Sequence, residues 1–208
     1  MISGVLLAAG ESTRMGGAFK PLLKWEDRTV IGACIKHLLA TSLAEIIVVI
    51  GHREAEVRER LAGSGVEYVI NPDYKLGMLS SIKTGWGMIN SQTDAVLIAL
   101  VDQPMVEAAT IEKLIVAYEK GGKKIALPTY QGKHGHPIIL SKDFKEEVMQ
   151  LPDSSPEGLK RLIDAYRDEI LEVPVETAVV IEDIDHPEDY ERLSKLVEPV
   201  YQSRKWHP

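Results

Sequence analysis

The sequence predicts an α/β fold in which a mostly parallel β-sheet carries helices on both faces. Short apolar segments, typical of strands buried on both sides, alternate with longer segments whose apolar residues recur at helical spacing. This order runs to about residue 128 and is the pattern of parallel strands joined by crossover helices. The 208 residues contain no linker or low-complexity stretch, which indicates one domain at residues 1–200 and a tail at 201–208.

The first half of the chain contains four predicted strands and four predicted helices. The strands are apolar, partly β-branched runs at 5–9, 46–50, 66–70 and 95–101. The helices lie at 29–40, 54–61, 79–89 and 108–119, and Gly121-Gly122 ends the last of them. Gly85 and Gly87 fall inside the third helix, where each glycine costs about 1 kcal/mol of helix propensity.

The second half is less regular. Strands are predicted at 124–127 and 137–140, and further short apolar runs occur at 170–175 and 178–181. Helices are predicted at 144–149, 158–166 and 187–197.

Composition excludes several classes of protein. The net charge of −7 argues against a nucleic-acid partner. The longest strongly apolar run, 96–101, is far too short to cross a bilayer, so no membrane association is expected. Cys34 is the single cysteine, which fits a reducing compartment, and the N-terminus lacks the basic region of a signal peptide. We therefore expect a cytoplasmic protein.

The loop after the first predicted strand is small, glycine-bearing and basic. It reads Leu7-Ala8-Ala9-Gly10-Glu11-Ser12-Thr13-Arg14-Met15-Gly16-Gly17-Ala18-Phe19-Lys20-Pro21. Such a loop can bring backbone N–H groups to phosphate oxygens, with Arg14 and Lys20 adding positive charge. It is neither a Walker A loop nor a dinucleotide-binding Gly-x-Gly-x-x-Gly motif. The alternative is a surface loop whose basic residues are simply solvated.

Acidic residues follow two apolar segments that are distant in the sequence. Asp102 comes directly after the run at 95–101, at the edge of the sheet where α/β proteins bind ligands. Asp185 ends a second apolar stretch, and Asp183 precedes it on the same face of a predicted strand. Two carboxylates suit Mg²⁺, which prefers hard oxygen ligands. Helix capping is the alternative for Asp102 and Asp185, and Asp183 is the second choice as ligand.

Three further residues have two interpretations each. Gly51 follows the strand at 46–50 and could let a pyrimidine ring approach the backbone, or could form a tight turn. Ser80 and Ser81 could bind a base and a phosphate, or could cap the helix that begins near them.

The chain resembles the MobA-like nucleotidyltransferases over residues 2–193. Their N-terminal signature matches Leu7 to Lys20, although this chain has one extra residue, within Gly17-Ala18-Phe19, between the glycine of the signature and Lys20. Four later segments resemble family motifs, namely Asn71-Pro72-Asp73-Tyr74 with Gly77-Met78-Leu79-Ser80-Ser81, Asp102-Gln103-Pro104, Gly135-His136-Pro137, and Asp183-Ile184-Asp185. Ala9 favours the branch that uses CTP and molybdenum cofactor, because the guanylyltransferase branch tends to have glycine there.

The resemblance implies a fold, an activity and a set of site residues. The fold is a Rossmann-like three-layer sandwich of the nucleotide-diphospho-sugar transferase type. The activity is Mg²⁺-dependent transfer of CMP from CTP to molybdopterin, with release of pyrophosphate. Arg14, Lys20 and Asp102 would be catalytic, Asp102 and Asp185 would bind the metal, and Gly135 and His136 would bind the acceptor. The nucleotide would contact Leu7, Ala8, Ala9, Gly10, Ser12, Arg14, Lys20, Gly51, Asn71, Gly77, Met78, Ser80 and Ser81.

Three other functions are compatible with these motifs. The enzyme could use GTP, or it could transfer a nucleotide to a sugar or alditol phosphate. A protein of another class, a carrier that delivers molybdenum cofactor to a molybdenum hydroxylase, could also bind the pterin. A hydroxylase of that kind, or its maturation factor, is the partner that the resemblance implies. Intact Arg14, Lys20, Asp102 and Asp185 argue against a carrier alone, because a carrier does not need to hold a triphosphate.

Overall fold

A computed structural model describes residues 1–155 and 157–197, and the predicted tail at 201–208 lies outside these ranges. The strands are β1 (Ile2–Ala8), β2 (Lys24–Trp25), β3 (Arg28–Thr29), β4 (Ile46–Ile50), β5 (Glu67–Ile70), β6 (Ala95–Leu100), β7 (Ile125–Tyr130), β8 (Lys133–His134), β9 (Ile138–Ser141) and β10 (Ile170–Pro174). The helices are α1 (Val30–Leu39), α2 (Glu54–Leu61), α3 (Met78–Met88), α4 (Ala108–Gly121), α5 (Lys145–Gln150), α6 (Lys160–Ala165) and α7 (Pro187–Val197).

The main sheet has the order β10-β7-β9-β6-β1-β4-β5, with β8 paired to β7. β1 pairs in parallel with both β4 and β6, and β4–β5 and β10–β7 are also parallel. β9 is antiparallel to β6 and to β7. The connection from β7 to β9 is too short for a crossover helix, so the chain must reverse direction there. The predicted α/β fold with a mostly parallel sheet is confirmed, and β9 is its antiparallel exception.

Two apolar layers cover the two faces of this sheet. Along β1, Leu6 and Ala8 belong to the layer that α1, α2 and α4 pack on, whereas Val5 and Leu7 belong to the layer under α3, α5 and α6. Alternate side chains of one strand therefore enter different cores, as the pleat requires. The result is the three-layer sandwich that the sequence predicts.

The two glycines of α3 differ in their surroundings. A Cβ at Gly85 would lie 2.5 Å from Val5 Cγ1 and 2.8 Å from Val49 Cγ2, so the absent side chain lets the helix lie directly on β1 and β4. A Cβ at Gly87 would meet nothing within 4 Å. Close packing on the sheet explains Gly85, and nothing in the structure explains Gly87.

Two predictions for the last third of the chain are wrong. The apolar run at 178–181 forms a 3-10 helix, Ala178–Ile181, and not a strand. Asp183 and Asp185 lie on the irregular segment that follows it, so Asp185 does not end a strand. Val180 and Ile184 are apolar and fully buried, so in the sequence they resemble the residues of a buried strand. Over the described ranges, no helix has both the length and the apolar character needed to cross a membrane.

Candidate active site

A cavity of about 300 Å³ opens where β1 and β6 end. These two strands are parallel neighbours, so the loop after β1 and the turn after β6 meet at the same edge of the sheet. The cavity is lined by Leu7, Ala9, Gly10, Glu11, Ser12, Thr13, Arg14, Lys20, Pro21, Tyr74, Gly77, Met78, Ser81, Leu100, Val101, Asp102 and Asp185. It therefore collects residues from the first 21 positions and from a segment more than 160 residues later.

The loop after β1 is held in shape by its own hydrogen bonds. Ser12 adopts a positive φ of 57°, and its carbonyl oxygen accepts from the Met15 N–H at 3.0 Å. The Ser12 hydroxyl oxygen accepts from the Lys20 N–H at 3.1 Å. Gly16 and Gly17 also have positive φ, a conformation that glycine adopts without strain. These turns bring Lys20 back to the wall of the cavity.

Four charged side chains converge in the cavity. Lys20 Nζ lies 3.1 Å from Asp102 Oδ2 and 3.4 Å from Asp185 Oδ1, and its side chain is only 9% exposed. Arg14 Nη1 lies 2.9 Å from Asp185 Oδ2. Two positive and two negative groups that are distant in the sequence thus form one network, as expected for a site that handles phosphate and metal charge.

The carboxylates also satisfy a simple test for a divalent cation. Asp102 Oδ1 is buried and has no hydrogen-bond partner among the described residues. Burying a carboxylate oxygen without a partner costs free energy, and such an oxygen is a suitable ligand for a hard metal ion. No group of three or more metal-binding side chains occurs in the described part of the chain. A divalent cation at this point would need phosphate or water oxygens in addition to the carboxylates of Asp102 and Asp185.

Asp183 does not line this cavity. Its Oδ1 accepts a hydrogen bond from Gln103 Nε2 at 2.8 Å. Partial desolvation of the carboxyl group and the nearby charge of Asp102 raise the pKa of Asp183, and the hydrogen bond from Gln103 opposes this shift. Asp185 is thus the acid that joins Asp102 at the cavity.

The predicted nucleotide-binding segment at 71–81 forms the opposite wall. Asn71 is 2% exposed, and its Nδ2 donates to Ser80 Oγ at 2.9 Å and to Ser81 Oγ at 3.0 Å. Ser80 Oγ in turn donates to the Gly77 carbonyl at 2.8 Å. Gly77, Met78 and Ser81 line the cavity. Asn71 and Ser80 do not, and they fix the wall from behind.

Two other residues from the predicted set also lie off the cavity. Ala8 points into the core on the α1 side of the sheet. Gly51 is covered by Tyr74, whose ring atoms would lie 2.9 Å from a Cβ at that glycine. The close approach that Gly51 allows is therefore made by Tyr74, and Tyr74 itself lines the cavity. Tyr74 belongs to the motif at 71–81, but no pattern in the sequence predicts that it lines the cavity.

A second cavity of about 610 Å³ adjoins the first. The two share Gly77 and Met78 in their walls. Gly135 and His136 line the second cavity. Burial lowers the pKa of His136, so its imidazole is neutral near pH 7. The predicted acceptor residues and the predicted nucleotide residues thus lie in neighbouring cavities.

Residues 4–170 match the profile of the MobA-like NTP transferase domain. The chain belongs to the MobA-like NTP transferase family. The family predicted from the motifs is confirmed, and this MobA-like protein is a nucleotidyltransferase. The match begins within β1 and ends at the first residue of β10, so it contains the loop after β1, Asp102 and the wall at 71–81, and it stops short of Asp185.

Named relatives cover most of this MobA-like chain. It is 33% identical to the molybdenum cofactor cytidylyltransferase of Escherichia coli K12 over 191 residues, which is 91% of this chain and 93% of that protein. It is 29% identical to nicotine blue oxidoreductase of Paenarthrobacter nicotinovorans, over 71% of this chain and 74% of that one. The crystal structure of Rv0371c from Mycobacterium tuberculosis H37Rv superposes with a TM-score of 0.83 at 29% identity, covering 93% and 97% of the two chains. A manganese complex of the same protein has a TM-score of 0.80 at 28% identity and covers 94% and 99%.

Proposed function

We propose that this nucleotidyltransferase transfers CMP from CTP to molybdenum cofactor and releases pyrophosphate, with Mg²⁺ as its metal. The observation that carries the proposal is the contact of Lys20 with both Asp102 and Asp185 at the floor of a nucleotide-sized cavity. The similarity to a cytidylyltransferase that acts on molybdenum cofactor supports the choice of base and acceptor.

The triphosphate would lie against the loop after β1. Arg14 and Lys20 offer positive charge there, and residues 10–13 of the glycine-bearing loop line the same cavity, where their backbone N–H groups would bind phosphate oxygens. Phosphoryl transfer needs positioning and neutralisation of negative charge more than it needs covalent help. Asp102 and Asp185 would hold Mg²⁺, which neutralises charge on phosphate oxygens when bound. Lys20 remains beside the two carboxylates and limits their mutual repulsion.

The reaction forms one bond and breaks one bond at the α-phosphorus of CTP. A phosphate oxygen of the acceptor forms the new P–O bond, and the bond to the bridging oxygen of the β-phosphate breaks, so pyrophosphate leaves with that oxygen. No general base is required, because the attacking phosphate oxygen is already anionic. The neutral imidazole of His136 does not need to accept a proton and can serve as a hydrogen-bond partner for the acceptor.

The second cavity supports an acceptor larger than a simple sugar phosphate. Its volume is about 610 Å³, and its wall mixes apolar residues with polar groups that include His136 and Lys160. A flat heteroaromatic acceptor would use both kinds of surface. Since the two cavities meet at Gly77 and Met78, an acceptor phosphate at this junction would face the α-phosphate of the nucleotide.

The deciding experiment measures pyrophosphate release with Mg²⁺ and purified molybdenum cofactor, comparing CTP, GTP, ATP and UTP. We expect release with CTP and much less with the other three. Release with GTP alone would keep the chemistry and overturn the choice of base. No release with any nucleotide, despite tight binding of the cofactor, would favour the carrier function, and release only with sugar or alditol phosphates would overturn the acceptor. We further propose a cytoplasmic location and delivery of the product to a molybdenum hydroxylase, which pull-down with the apo-hydroxylase would test.

A further inference from the structure

Gln103 is a buried polar residue that the mechanism above does not use. It lies in the turn after β6, next to Asp102, and is 5% exposed. The backbone holds this turn in place, because the Gln103 N–H donates to the Leu100 carbonyl at 3.3 Å and the Gln103 carbonyl accepts from Val106 at 3.2 Å. The position of its side chain is therefore determined by the end of the strand.

The side-chain amide of Gln103 contacts the segment that carries Asp185. Its Nε2 donates to Asp183 Oδ1 at 2.8 Å and lies 3.3 Å from the Val180 carbonyl oxygen. The backbone adds a third connection, from the Ile184 N–H to the Asp102 carbonyl at 2.9 Å. These three contacts join the turn after β6 to an irregular segment about 80 residues later.

The segment has little regular structure to hold it otherwise. Asp183 and Asp185 belong to no helix or strand, and α7 begins only at Pro187. Buried Val180 and Ile184 anchor its apolar side, and the Asp185 carboxylate contacts Arg14 and Lys20, but apolar contacts are non-directional and do not orient the backbone that carries the carboxylates. Directional hydrogen bonds are needed to aim Asp185 at the point where Asp102 also lies.

We infer that Gln103 is a positioning residue for the metal site: by holding Asp183 and Val180, it sets the distance between the Asp102 and Asp185 carboxylates and so the affinity for a divalent cation. This inference rests on the metal assignment in the proposed function. Groups behind metal ligands commonly act in this way, and their loss typically weakens metal binding by about 10–100-fold.

The test is titration of the nucleotide-free protein with Mn²⁺, followed by the electron paramagnetic resonance signal of free Mn²⁺. Gln103→Met keeps the length and the charge of the side chain and removes the donor. We expect it to raise the Kd for Mn²⁺ about 10–100-fold. Asp183→Asn should bind nearly as the wild type does, because its amide oxygen still accepts from Gln103. A large loss in Asp183→Asn would instead make Asp183 a ligand and overturn the inference.

Controls separate metal binding from folding and from the choice of substrate. Ser3→Ala removes the hydrogen bond that the hydroxyl of buried Ser3 donates to Glu45 at the opposite end of the sheet, and should leave Mn²⁺ binding unchanged. If Gln103→Met does not fold, Gln103→Asn, whose amide is too short to reach Asp183, should show the same direction of change. Wild-type affinity in the folded variant would overturn the inference alone. If the wild-type protein shows no Mn²⁺ binding that depends on Asp102, both the inference and the metal assignment are overturned. Failure of pyrophosphate release with CTP would concern only the proposed function.

Discussion

Lys20 Nζ lies 3.1 Å from Asp102 Oδ2, although 82 residues separate the two in the chain. The contact exists because β1 and β6 are parallel neighbours, so the loop after one and the turn after the other share an edge of the sheet. Lys20 also reaches Asp185. One ammonium group therefore contacts two acids, of which Asp185 also pairs with Arg14, and removal of Lys20 should affect both stability and turnover.

Lys20→Met should lower kcat by about 100-fold or more, because it removes a positive charge beside the developing phosphate charge. It should also lower the free energy of unfolding by about 1–3 kcal/mol, since Asp102 loses its cationic partner while Asp185 keeps Arg14. Millimolar Mg²⁺ should restore part of this stability, because a cation that binds the folded state offsets the repulsion. Urea denaturation with and without Mg²⁺ measures the second effect. Equal stability of variant and wild type in the absence of metal would contradict the role given to this contact.

Asp102→Asn should lower metal-dependent turnover by at least about 100-fold while the protein remains folded, because an amide is a poor substitute for a carboxylate ligand of Mg²⁺. The same substitution at Asp94 is a matched control. Asp94 lies just before β6, at the far end of the same strand, and bonds to Lys142 and the N-terminus. Pyrophosphate release across a range of Mg²⁺ concentrations checks both variants. A loss in Asp94→Asn equal to that in Asp102→Asn would show a general effect on folding.

His136 should make stability depend on pH between about 7 and 5. Burial lowers the pKa of His136 in the folded protein below its unfolded value of about 6.5. As the pH falls through 6.5, the unfolded chain therefore takes up a proton that the folded protein does not, and the free energy of unfolding decreases. The stabilisation is present above pH 6.5 and is lost as the pH falls towards the folded pKa.

Denaturation of His136→Gln at several pH values isolates this contribution. Its stability should decline less than that of the wild type over the same range. Burial also lowers the pKa of His37, so His37→Gln should show a change of the same sign. Asp183, whose pKa is raised, contributes with the opposite sign but equally in both proteins, so the difference between them reports His136. A steeper decline in His136→Gln would contradict the predicted direction.

The glycines of α3 should respond in opposite directions to alanine. Gly85→Ala should lower the free energy of unfolding by about 1–3 kcal/mol, because its Cβ would overlap Val5 and Val49 in a close-packed core. Gly87→Ala should raise it by up to about 1 kcal/mol, because the new methyl group meets no atom and alanine favours the helix. Urea denaturation of both variants and the wild type measures these changes in the free energy of unfolding. Destabilisation by both substitutions would contradict the prediction for Gly87, because it would show that the helix tolerates no side chain at either position.

Local patterns predicted most of the regular structure. The predicted strand at 46–50 and the predicted helix at 54–61 match β4 and α2, because β-branched runs and helical spacing are properties of contiguous residues. The same reasoning failed at 178–185. There, apolar residues are spaced as in a strand, but Val180 lies in a 3-10 helix and Ile184 lies in an irregular segment, where it packs with Trp25, Met105 and Leu193.

The candidate site was predictable to the extent that its residues follow strand ends. Asp102 and the loop to Lys20 belong to this class, and the structure places them in one cavity. Ala8 is predicted because it lies within the contiguous loop motif, but alternate residues of a strand face opposite sides. Gly51 is predicted because it follows the strand at 46–50, but it is covered by Tyr74. Tyr74 and Gln103 lay inside recognised motifs without a pattern that revealed their contacts.

Periodicity, the loop motif and the acid after β6 are carried by neighbouring residues. Periodicity is enough to predict an α/β sheet, and the resemblance of the motifs is enough to predict the family. The order of strands in the sheet depends on contacts between distant residues. That order brings the loop that carries Lys20 next to Asp102, and the packing of the irregular segment at 182–186 against the turn after β6 adds Asp185. It also brings Gln103 against Asp183. These pairings are separated by about 80 to 165 positions, so no local window of the sequence contains both members of any pair.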